Sequence, residues 1–411
     1  MQKPFLLGAI GALFVSAVSA HAQTTLSDTE QTALHDRLLT IDTHIDIGPG
    51  YGTARLDPGV LNSAQVDLPS MRIGGLDAGF FIVFTPQGDL DEAGHKTAQE
   101  FAEEMYRGIQ RMLRANTDTI GLARTAKDVE NLNAQGKLVA LIGIENSFPF
   151  GATAEEVQNA VEMWAKRGAS YASITHFGHN QFGGSSNPSF KRDKSADQGL
   201  TELGKVLVAA LNDHGIMVDV SHVGPKTTAD AIALSRAPVI ASHSTVAAVY
   251  DNPRGLTDDQ LIAIRDKGGV AQITAYRSYL AKIDPRISAA RSVLRNRLGL
   301  TSFAAFRAAS PETLTEFRRE QKLIREKFDD VTLEQFIDHV EHAIKVAGID
   351  HVGLSGDFDG GGGVKGWDDA AETLNVTAAL IERGYSEEDL AKLWGQNVLR
   401  VMREVKAAAI N

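Results

Sequence analysis

The chain of 411 residues contains no cysteine. The absence of thiols excludes disulfide bonds, cysteine nucleophiles and metal sites built from thiolates. Any bound metal must therefore be held by histidine, aspartate or glutamate. Stability must come from an ordinary apolar core, and a hydrophobic content of 43% is normal for a globular protein.

Positive charge is also scarce. The chain has 41 Lys and Arg residues against 52 Asp and Glu residues, which gives a formal net charge of −11. This balance argues against nucleic acid or an anionic membrane as a partner. The glycine run Gly360–Gly363 lacks the Lys-Ser/Thr pair that follows in phosphate-binding loops, so a nucleotide site is not expected.

The first 22 residues have the layout of a secretory signal peptide. A charge at Lys3 precedes an apolar run from Phe5 to about Ala20, and an Ala-His-Ala pattern ends at Ala22. This order predicts export, most simply to a periplasm, with cleavage after Ala22. Cleavage after Ala20 is the near alternative. No membrane anchor is expected once the signal at 1–22 is removed.

Eight short apolar runs alternate with amphipathic helical patterns after the signal. Several runs are continuous β-branched stretches, which is typical of strands buried on both faces of a parallel sheet. The predicted strands are Leu38–Ile47, Leu76–Phe84, Leu138–Glu145, Ala169–His176, Ile216–His222, Ala237–His243, Gly269–Ala275 and His351–Gly356. The predicted helices between them are Ala98–Ala115, Ala154–Arg167, Leu200–His214, Pro225–Ser235, Asp258–Lys267 and Leu333–Val346.

This alternation predicts an α/β fold, a (β/α)8 TIM barrel that occupies 23–411 as a single domain, rather than an open doubly wound sheet. A charged helical insertion, Ser278–Asp330, precedes the eighth strand and is expected on the barrel rim. Helical patterns at Asp368–Arg383, Ser386–Trp394 and Asn397–Val405 are expected to cover the barrel at the carboxyl terminus.

Ionisable side chains occur at the carboxyl ends of the predicted strands, where TIM barrels place their active sites. Such residues are rare in buried strands, so their coincidence points to one shared site. They are His44, Asp46, Glu145, His176, His222, His243 and Asp357. Nitrogen and oxygen ligands of this kind suit zinc, manganese or iron. Two metals sharing a carboxylate would explain the number of ligands, and could polarise a carbonyl and hold a hydroxide.

Other polar residues receive less specific expectations. His339 and His342 lie on a predicted helix and are expected on its solvated face. Asp359 is expected to cap the glycine-rich turn Gly360–Gly363. His179 follows the fourth strand and is a candidate for contact with a ligand in the same pocket.

The ordered series of segments resembles the membrane (renal) dipeptidase family, peptidase family M19, of the metal-dependent amidohydrolase-like barrels. The segments are IDTHID (41–46), QVDLPSMRIGGLDAGFFIVFTP (65–86), IGIEN (142–146), YASITHFGHN (171–180), GLTELGKVLVAALNDHGIMVDVSHV (199–223), PVIASHS (238–244), NPR (252–254), DHVGLSGDFDG (350–360) and GQNVLRV (395–401). The resemblance implies a zinc-dependent dipeptidase that cleaves L-Xaa-L/D-Xaa dipeptides with a hydroxide held between two Zn²⁺.

The resemblance also implies a role for each matching ligand. His44 and Asp46 would bind one zinc, Glu145 would bridge to the second zinc, and His222 and His243 would complete that second site.

Three further residues take their implied roles from the same family. His176 would bind substrate and stabilise the tetrahedral oxyanion. Arg254 would grip the terminal carboxylate of the dipeptide, which suits a guanidinium fork. Asp357 would be the acid/base that moves the proton to the leaving amine, with Asp359 its close rival in the sequence.

Some segments depart from the mammalian members of this family. There the bridging glutamate is followed by glycines, whereas here Asn146 follows Glu145. The segment after His176 and the helical insertion also differ. These loops shape the pocket, so the substrate preference stays open.

Two other functions remain as alternatives. Another binuclear-metal barrel hydrolase, such as a lactonase or a β-lactam amidase, would use the same ligands, but a neutral ester needs no partner like Arg254. A non-catalytic periplasmic binding protein is disfavoured by the complete ligand set together with Asp357. The resemblance allows a homodimer, although no residue pattern indicates an interface.

Overall fold

The computed structural model describes residues 26–62, 64–188, 195–328 and 330–410. The expected signal peptide lies outside them. The strands are β1 Ile41–Ile45, β2 Ala78–Phe84, β3 Ile120–Leu122, β4 Leu138–Glu145, β5 Ala169–Ser173, β6 Met217–Asp219, β7 Ile240–Val246, β8 Gly255–Leu256, β9 Val270–Thr274 and β10 Val352–Ser355.

The α-helices number sixteen within the described residues. They are α1 Asp28–His35, α2 Leu68–Gly74, α3 Glu92–Ala115, α4 Ala126–Ala134, α5 Ala154–Arg167, α6 Glu202–Asp213, α7 Pro225–Leu234, α8 Asp258–Asp266, α9 Arg277–Leu280, α10 Pro285–Arg297, α11 Phe303–Ala308, α12 Pro311–Lys327, α13 Leu333–Ala347, α14 Thr373–Glu382, α15 Glu387–Ala391 and α16 Asn397–Ala407. In this part of the chain, no helix combines the length and apolar character needed to cross a membrane.

Eight parallel strands form a nearly closed barrel in the order β1, β2, β4, β5, β6, β7, β9 and β10. The circle is completed where Ile45 pairs with Phe358, just after β10, and the Asp46 amide donates to the Phe358 carbonyl at 2.9 Å. The predicted TIM barrel is therefore confirmed. The short strands β3 and β8 pair with β4 and β7 outside the barrel path.

A buried carboxylate ties the first and last strands together. One oxygen of Asp42 accepts hydrogen bonds from the amides of His44 and Gly356, both at 3.0 Å, and from the Ser355 hydroxyl at 3.3 Å. Burial raises the pKa of Asp42 to about 6, and these hydrogen bonds to its charged form oppose the rise. Asp42 thus aligns the two strand ends on which the first and last functional residues sit.

The predicted insertion is helical and packs partly on itself. Helices α10 to α12 enclose a small core of Leu294, Leu300 and Phe317, which is separate from the barrel core. Phe306 on α11 packs edge-on against Phe317, with ring centroids 5.0 Å apart. The insertion therefore holds its own shape with local apolar contacts.

Ion pairs fasten the insertion to the barrel. Arg325 on α12 pairs with Asp368 in the loop after β10, and Arg277 on α9 pairs with the same carboxylate at 2.8 Å. Asp330, whose side chain is 1% exposed, lies 3.3 Å from Arg277 and 3.8 Å from Arg325. Two arginines and two carboxylates thus compensate one another where α12 meets the barrel.

We expect Asp330→Ala to lower the free energy of unfolding by about 3–5 kcal/mol, because removal of one partner leaves buried arginine charge uncompensated. Denaturant unfolding measures this change. The matched control is Glu316→Ala, which removes an exposed partner of Arg297 at 3.0 Å and should change the same quantity by less than about 1 kcal/mol. Equal effects of the two variants would contradict the assignment of a stabilising role to Asp330.

Candidate metal centre and active site

Glu145 is the last residue of β4, and its carboxylate lies where four imidazoles converge. One carboxylate oxygen is 3.0 Å from Nε2 of His222, 3.3 Å from Nε2 of His243 and 3.7 Å from Nε2 of His176. The other oxygen is 3.7 Å from Nε2 of His44. The two oxygens therefore face different sets of nitrogen ligands, which is the arrangement that a bridging carboxylate requires.

The remaining predicted residues join the same cluster from the side of His44. Its Nε2 atom lies 3.6 Å from Oδ2 of Asp46, and Asp357 completes a group of three with this pair. Three such groups, each with ligand atoms within 4.8 Å of one another, could hold a metal ion: His44, Glu145 and His243; Glu145, His176 and His222; His44, Asp46 and Asp357. The structure thus brings together all five predicted metal ligands.

The strand ends differ in detail from the prediction. His176 and His222 lie beyond the ends of β5 and β6, whereas His243 lies inside β7. His222 and His243 nevertheless place their Nε2 atoms 2.8 Å apart. Both side chains are buried, and this separation brings the two imidazole nitrogens within hydrogen-bonding distance of one another.

The charges of this cluster shift one another strongly. Burial lowers the pKa of His222 and of His243 well below the ordinary value and raises the pKa of Asp357 well above it. Although burial opposes the change, His176 and His44 hold the pKa of Glu145 well below its usual range. Burial also opposes the shift at His44, where Glu145 and Asp46 raise the pKa well above its ordinary value. Neutral His222 and His243 beside an ionised Glu145 are in the protonation states that metal ligation needs.

Four residues with left-handed backbone surround the site. Asn146, His222, Asp357 and Asp359 have φ angles of 74°, 66°, 52° and 61°, and no other non-glycine residue within the described ranges has a positive φ. Such conformations cost free energy and cluster at functional sites. The departure of this chain at Asn146 is thereby explained, because asparagine tolerates the left-handed region better than most residues.

A family model described as membrane dipeptidase (peptidase family M19) matches residues 29–411. This chain belongs to that family. The predicted resemblance is confirmed, and the protein is a metallo-dipeptidase whose family implies a metal cofactor.

Individual relatives agree with this membership. A dipeptidase from Claviceps purpurea, tcpJ, is 28% identical over 352 residues, which cover 84% of this chain and 71% of the relative. The crystal structure of the probable dipeptidase PvdM from Pseudomonas aeruginosa has 31% identity and a TM-score of 0.79, with 93% of this chain and 98% of that chain covered. A metallo peptidase from Rhodobacter sphaeroides, liganded with a phosphinate mimic of the dipeptide L-Ala-D-Ala, has 25% identity and a TM-score of 0.67, with 90% and 99% covered.

Hydrogen bonds behind two histidines of this M19 site fix which nitrogen faces the cluster. Ser242 donates its hydroxyl hydrogen to Asp219 at 2.7 Å and therefore accepts from Nδ1 of His243 at 2.8 Å. Nδ1 then carries the hydrogen, and Nε2 keeps its lone pair toward Glu145. Asp219 is fully buried, and burial raises its pKa to about 6.

Tyr171 performs the same task for His44. Its hydroxyl donates to the carbonyl of Thr43 at 3.0 Å and accepts from Nδ1 of His44 at 3.0 Å. The ring fits only because residue 143 is glycine, since a Cβ at Gly143 would lie 2.3 Å from Cζ of Tyr171. Tyr171, Ser242 and Asp219 were not predicted from the sequence; for Tyr171, the glycine two residues before Glu145 was the available signal.

Arg254 is buried beside the candidate ligand His243 and is not among the residues that line the cavity. It is 4% exposed, its Nη2 donates to the His243 carbonyl at 2.8 Å, and its guanidinium carbon is 5.7 Å from the centre of the Tyr279 ring. Its Nε is buried and has no hydrogen-bond partner among the described residues. A buried donor without a partner is uncommon and marks a position where a ligand atom can bind.

Three expectations about polar residues were wrong. Asp359 does not cap the glycine turn: its carboxylate accepts from the amides of Gln65 and Val66, at 3.2 and 3.3 Å, and from Arg318 at 3.0 Å. The turn is closed instead by backbone, with the Gly362 amide donating to the Asp357 carbonyl at 2.8 Å.

The other two are histidines. His339 is fully buried, accepts from the Val246 amide at 3.1 Å and lies 3.0 Å from the Leu280 carbonyl. His179 is not a wall of the cavity; its Nδ1 accepts from the Ser185 amide at 2.9 Å and holds its loop. His342 is partly exposed and pairs with Asp258 at 2.8 Å.

We expect Tyr171→Phe to weaken metal binding about 10- to 100-fold, because His44 loses the group that orients its ring and sets its tautomer. Competition with a chelator of known affinity measures the effect without any substrate. Tyr106→Phe is the matched control, since Tyr106 packs on Arg167 and Trp164 far from the site. Unchanged affinity in Tyr171→Phe would rule out this role.

Proposed function

We propose that the protein hydrolyses the peptide bond of dipeptides that carry a free amino terminus and a free α-carboxylate, with two zinc ions bridged by Glu145. The observation that carries the proposal is the division of the Glu145 oxygens between His44 on one side and His222 and His243 on the other. Arg254 supplies the reason for the free carboxylate.

The donor set suits zinc. His44 and Asp46 would hold one ion, His222 and His243 the other, and imidazoles and carboxylates are ligands that zinc commonly takes. Such a pair would supply a Lewis acid for the scissile carbonyl and lower the pKa of a water at the site. The crowding of Asp46, Glu145 and Asp357 also favours cations. Burial raises the pKa of both Asp46 and Asp357, and a bound cation would oppose this rise by stabilising the ionised carboxylates.

Asp357 would move the proton. It lies beside Asp46 and His44. Gly360 is so close to two of these carboxylates that a Cβ added to it would lie 2.4 Å from Asp357 and 2.1 Å from Asp46. Burial, together with the charges of Asp46 and Glu145, raises the pKa of Asp357, so its carboxyl readily holds a proton for the leaving amine.

His176 would stabilise the oxyanion. Its Nε2 lies 3.7 Å from Glu145, and its ring packs edge-on against Phe84 with centroids 4.9 Å apart. Burial lowers the pKa of His176 to about 4, so its imidazole is neutral near pH 7. A neutral imidazole offers one N–H, which can donate to the oxygen where negative charge develops in the transition state.

Arg254 would bind the α-carboxylate of the substrate. Its free Nε donor and its fixed charge lie next to His243 and Tyr279, on one side of the metal ligands. A lactone or another neutral ester would leave this buried charge without a partner. The R. sphaeroides relative was solved with a mimic of L-Ala-D-Ala, which supports acceptance of a D residue at the carboxyl-terminal position.

We expect L-Ala-L-Ala and L-Ala-D-Ala to be cleaved by the purified protein, and their N-acetylated forms, amides and tripeptides to be spared. A chelator should abolish cleavage and zinc should restore it, with two zinc ions per chain by elemental analysis. Amine release, followed by chromatography of the products, measures the reaction. Cleavage of lactones or β-lactams by the zinc-loaded protein, without cleavage of dipeptides, would exclude the proposal.

We expect Asp357→Asn to lower kcat roughly 10²- to 10⁴-fold, with a much smaller change in KM, because the amide cannot carry the proton. Metal content serves as a second readout. Asp350→Asn is the matched control, since this exposed residue lies at the other end of the same strand, beside Lys392 at 3.1 Å. A full rate in Asp357→Asn would remove Asp357 from the mechanism.

A further inference from the structure

The cavity above the metal ligands is much larger than the cluster itself. Its volume is about 440 Å³, and it extends from Asp46, Glu145 and Asp357 to side chains of three separate segments. These are Tyr51, Arg55 and Leu56 after β1, Tyr276 and Tyr279 after β9, and Phe306, Leu314 and Arg318 of the insertion. The far part of the cavity is thus largely apolar and aromatic.

Leu314 is an informative residue of this wall. It is 9% exposed, yet it does not belong to the small core of Leu294, Leu300 and Phe317 that holds the insertion together. Leu314 lines the cavity, whereas Leu323, on the same helix, is 52% exposed. The packing of the insertion therefore leaves Leu314 available to contact a ligand.

The insertion is fixed in position at the mouth. Arg318 on α12 pairs with Asp359 at 3.0 Å, and the Phe306 carbonyl lies 3.4 Å from Nη2 of Arg55. Asp359 follows Asp357 by two residues, and the same turn touches Asp46 at Gly360. The wall is therefore joined directly to the loop that carries Asp357.

The charges indicate which end of a dipeptide meets this wall. The cation Arg254 lies behind His243 and Tyr279, and attracts the carboxylate end. Asp46, Asp357 and Asp359 line the cavity, and their carboxyl oxygens can accept hydrogen bonds from the ammonium end. The side chain of the amino-terminal residue then starts beside Asp46 and Asp359, next to the place where Arg318 attaches the insertion.

We propose that the insertion, through Phe306 and Leu314, forms the binding pocket for the amino-terminal side chain of the substrate and selects bulky apolar side chains, aromatic ones above all. This inference rests on the dipeptidase function proposed above. Burial of an additional ring against apolar walls increases kcat/KM roughly 10- to 100-fold, by the preferences usual for hydrophobic pockets. Most of the gain should come through KM.

The test measures kcat/KM of the zinc-loaded full-length protein for L-Phe-L-Ala, L-Ala-L-Phe and L-Ala-L-Ala. We expect kcat/KM for L-Phe-L-Ala to exceed that for L-Ala-L-Ala at least tenfold, and the reversed peptide L-Ala-L-Phe to gain less. A gain confined to L-Ala-L-Phe, or equal values for all three, would overturn the assignment of the wall to the amino-terminal side chain.

Variants of Leu314 test the wall itself. Leu314→Ala removes apolar contact and Leu314→Trp fills the space, so both should lower the ratio of kcat/KM for L-Phe-L-Ala over L-Ala-L-Ala about tenfold. An unfolding transition checks that each variant is folded; if one is not, the ratio measured for the other variant tests the proposal. Leu323→Ala, a solvent-facing change on the same helix, is the control and should keep the ratio of the unaltered protein. A ratio unaffected by the Leu314 changes would refute the proposal.

The two proposals fail in different ways. If the zinc-loaded protein cleaves no dipeptide, both the proposed function and the inferred pocket are overturned. If it cleaves L-Ala-L-Ala and L-Phe-L-Ala at equal kcat/KM, the dipeptidase proposal stands and the pocket alone is overturned.

Discussion

A carboxylate buried at the end of a strand must be compensated, because a charge withdrawn from water is costly unless it is paired and hydrogen-bonded. Glu145 is 4% exposed and meets this demand with imidazoles that arrive from four directions. His44 comes from the first strand, and His222 and His243 come from the sixth and seventh strand regions, so these groups meet only if the barrel closes. Asp42, which joins β1 to the segment after β10, is therefore part of the same constraint. The fold and the chemistry depend on one geometric condition.

The eight barrel strands were predictable because several are continuous apolar runs, and β4 and α5 occur at the predicted bounds. The strands β3 and β8 were not predicted, since three and two residues are too few to produce a periodic pattern. The candidate metal ligands were predictable as ionisable residues at the ends of apolar strands. The groups that orient these ligands were not predictable, because Tyr171 looks like a core aromatic residue in the sequence. The contacts of Asp359 with Gln65 and Arg318 were not predictable either, because these residues lie far from Asp359 along the chain.

Two glycines and four left-handed residues show how tightly the site is built. Gly143 makes room for Tyr171, and Gly360 for the carboxylates of Asp46 and Asp357. His222 and Asp357 adopt backbone conformations that such side chains seldom take, so the neighbouring strands must supply the stabilising free energy. A site of this kind is pre-organised, because its side chains are held before any substrate arrives.

The insertion has its own small core, and ion pairs join it to the barrel. Its sequence can therefore change without disturbing the candidate metal ligands. Descendants of one ancestral hydrolase could in this way acquire different substrate preferences through changes in this one insertion. Relatives that lack these helices should share the catalytic centre of this protein but differ from it in substrate preference.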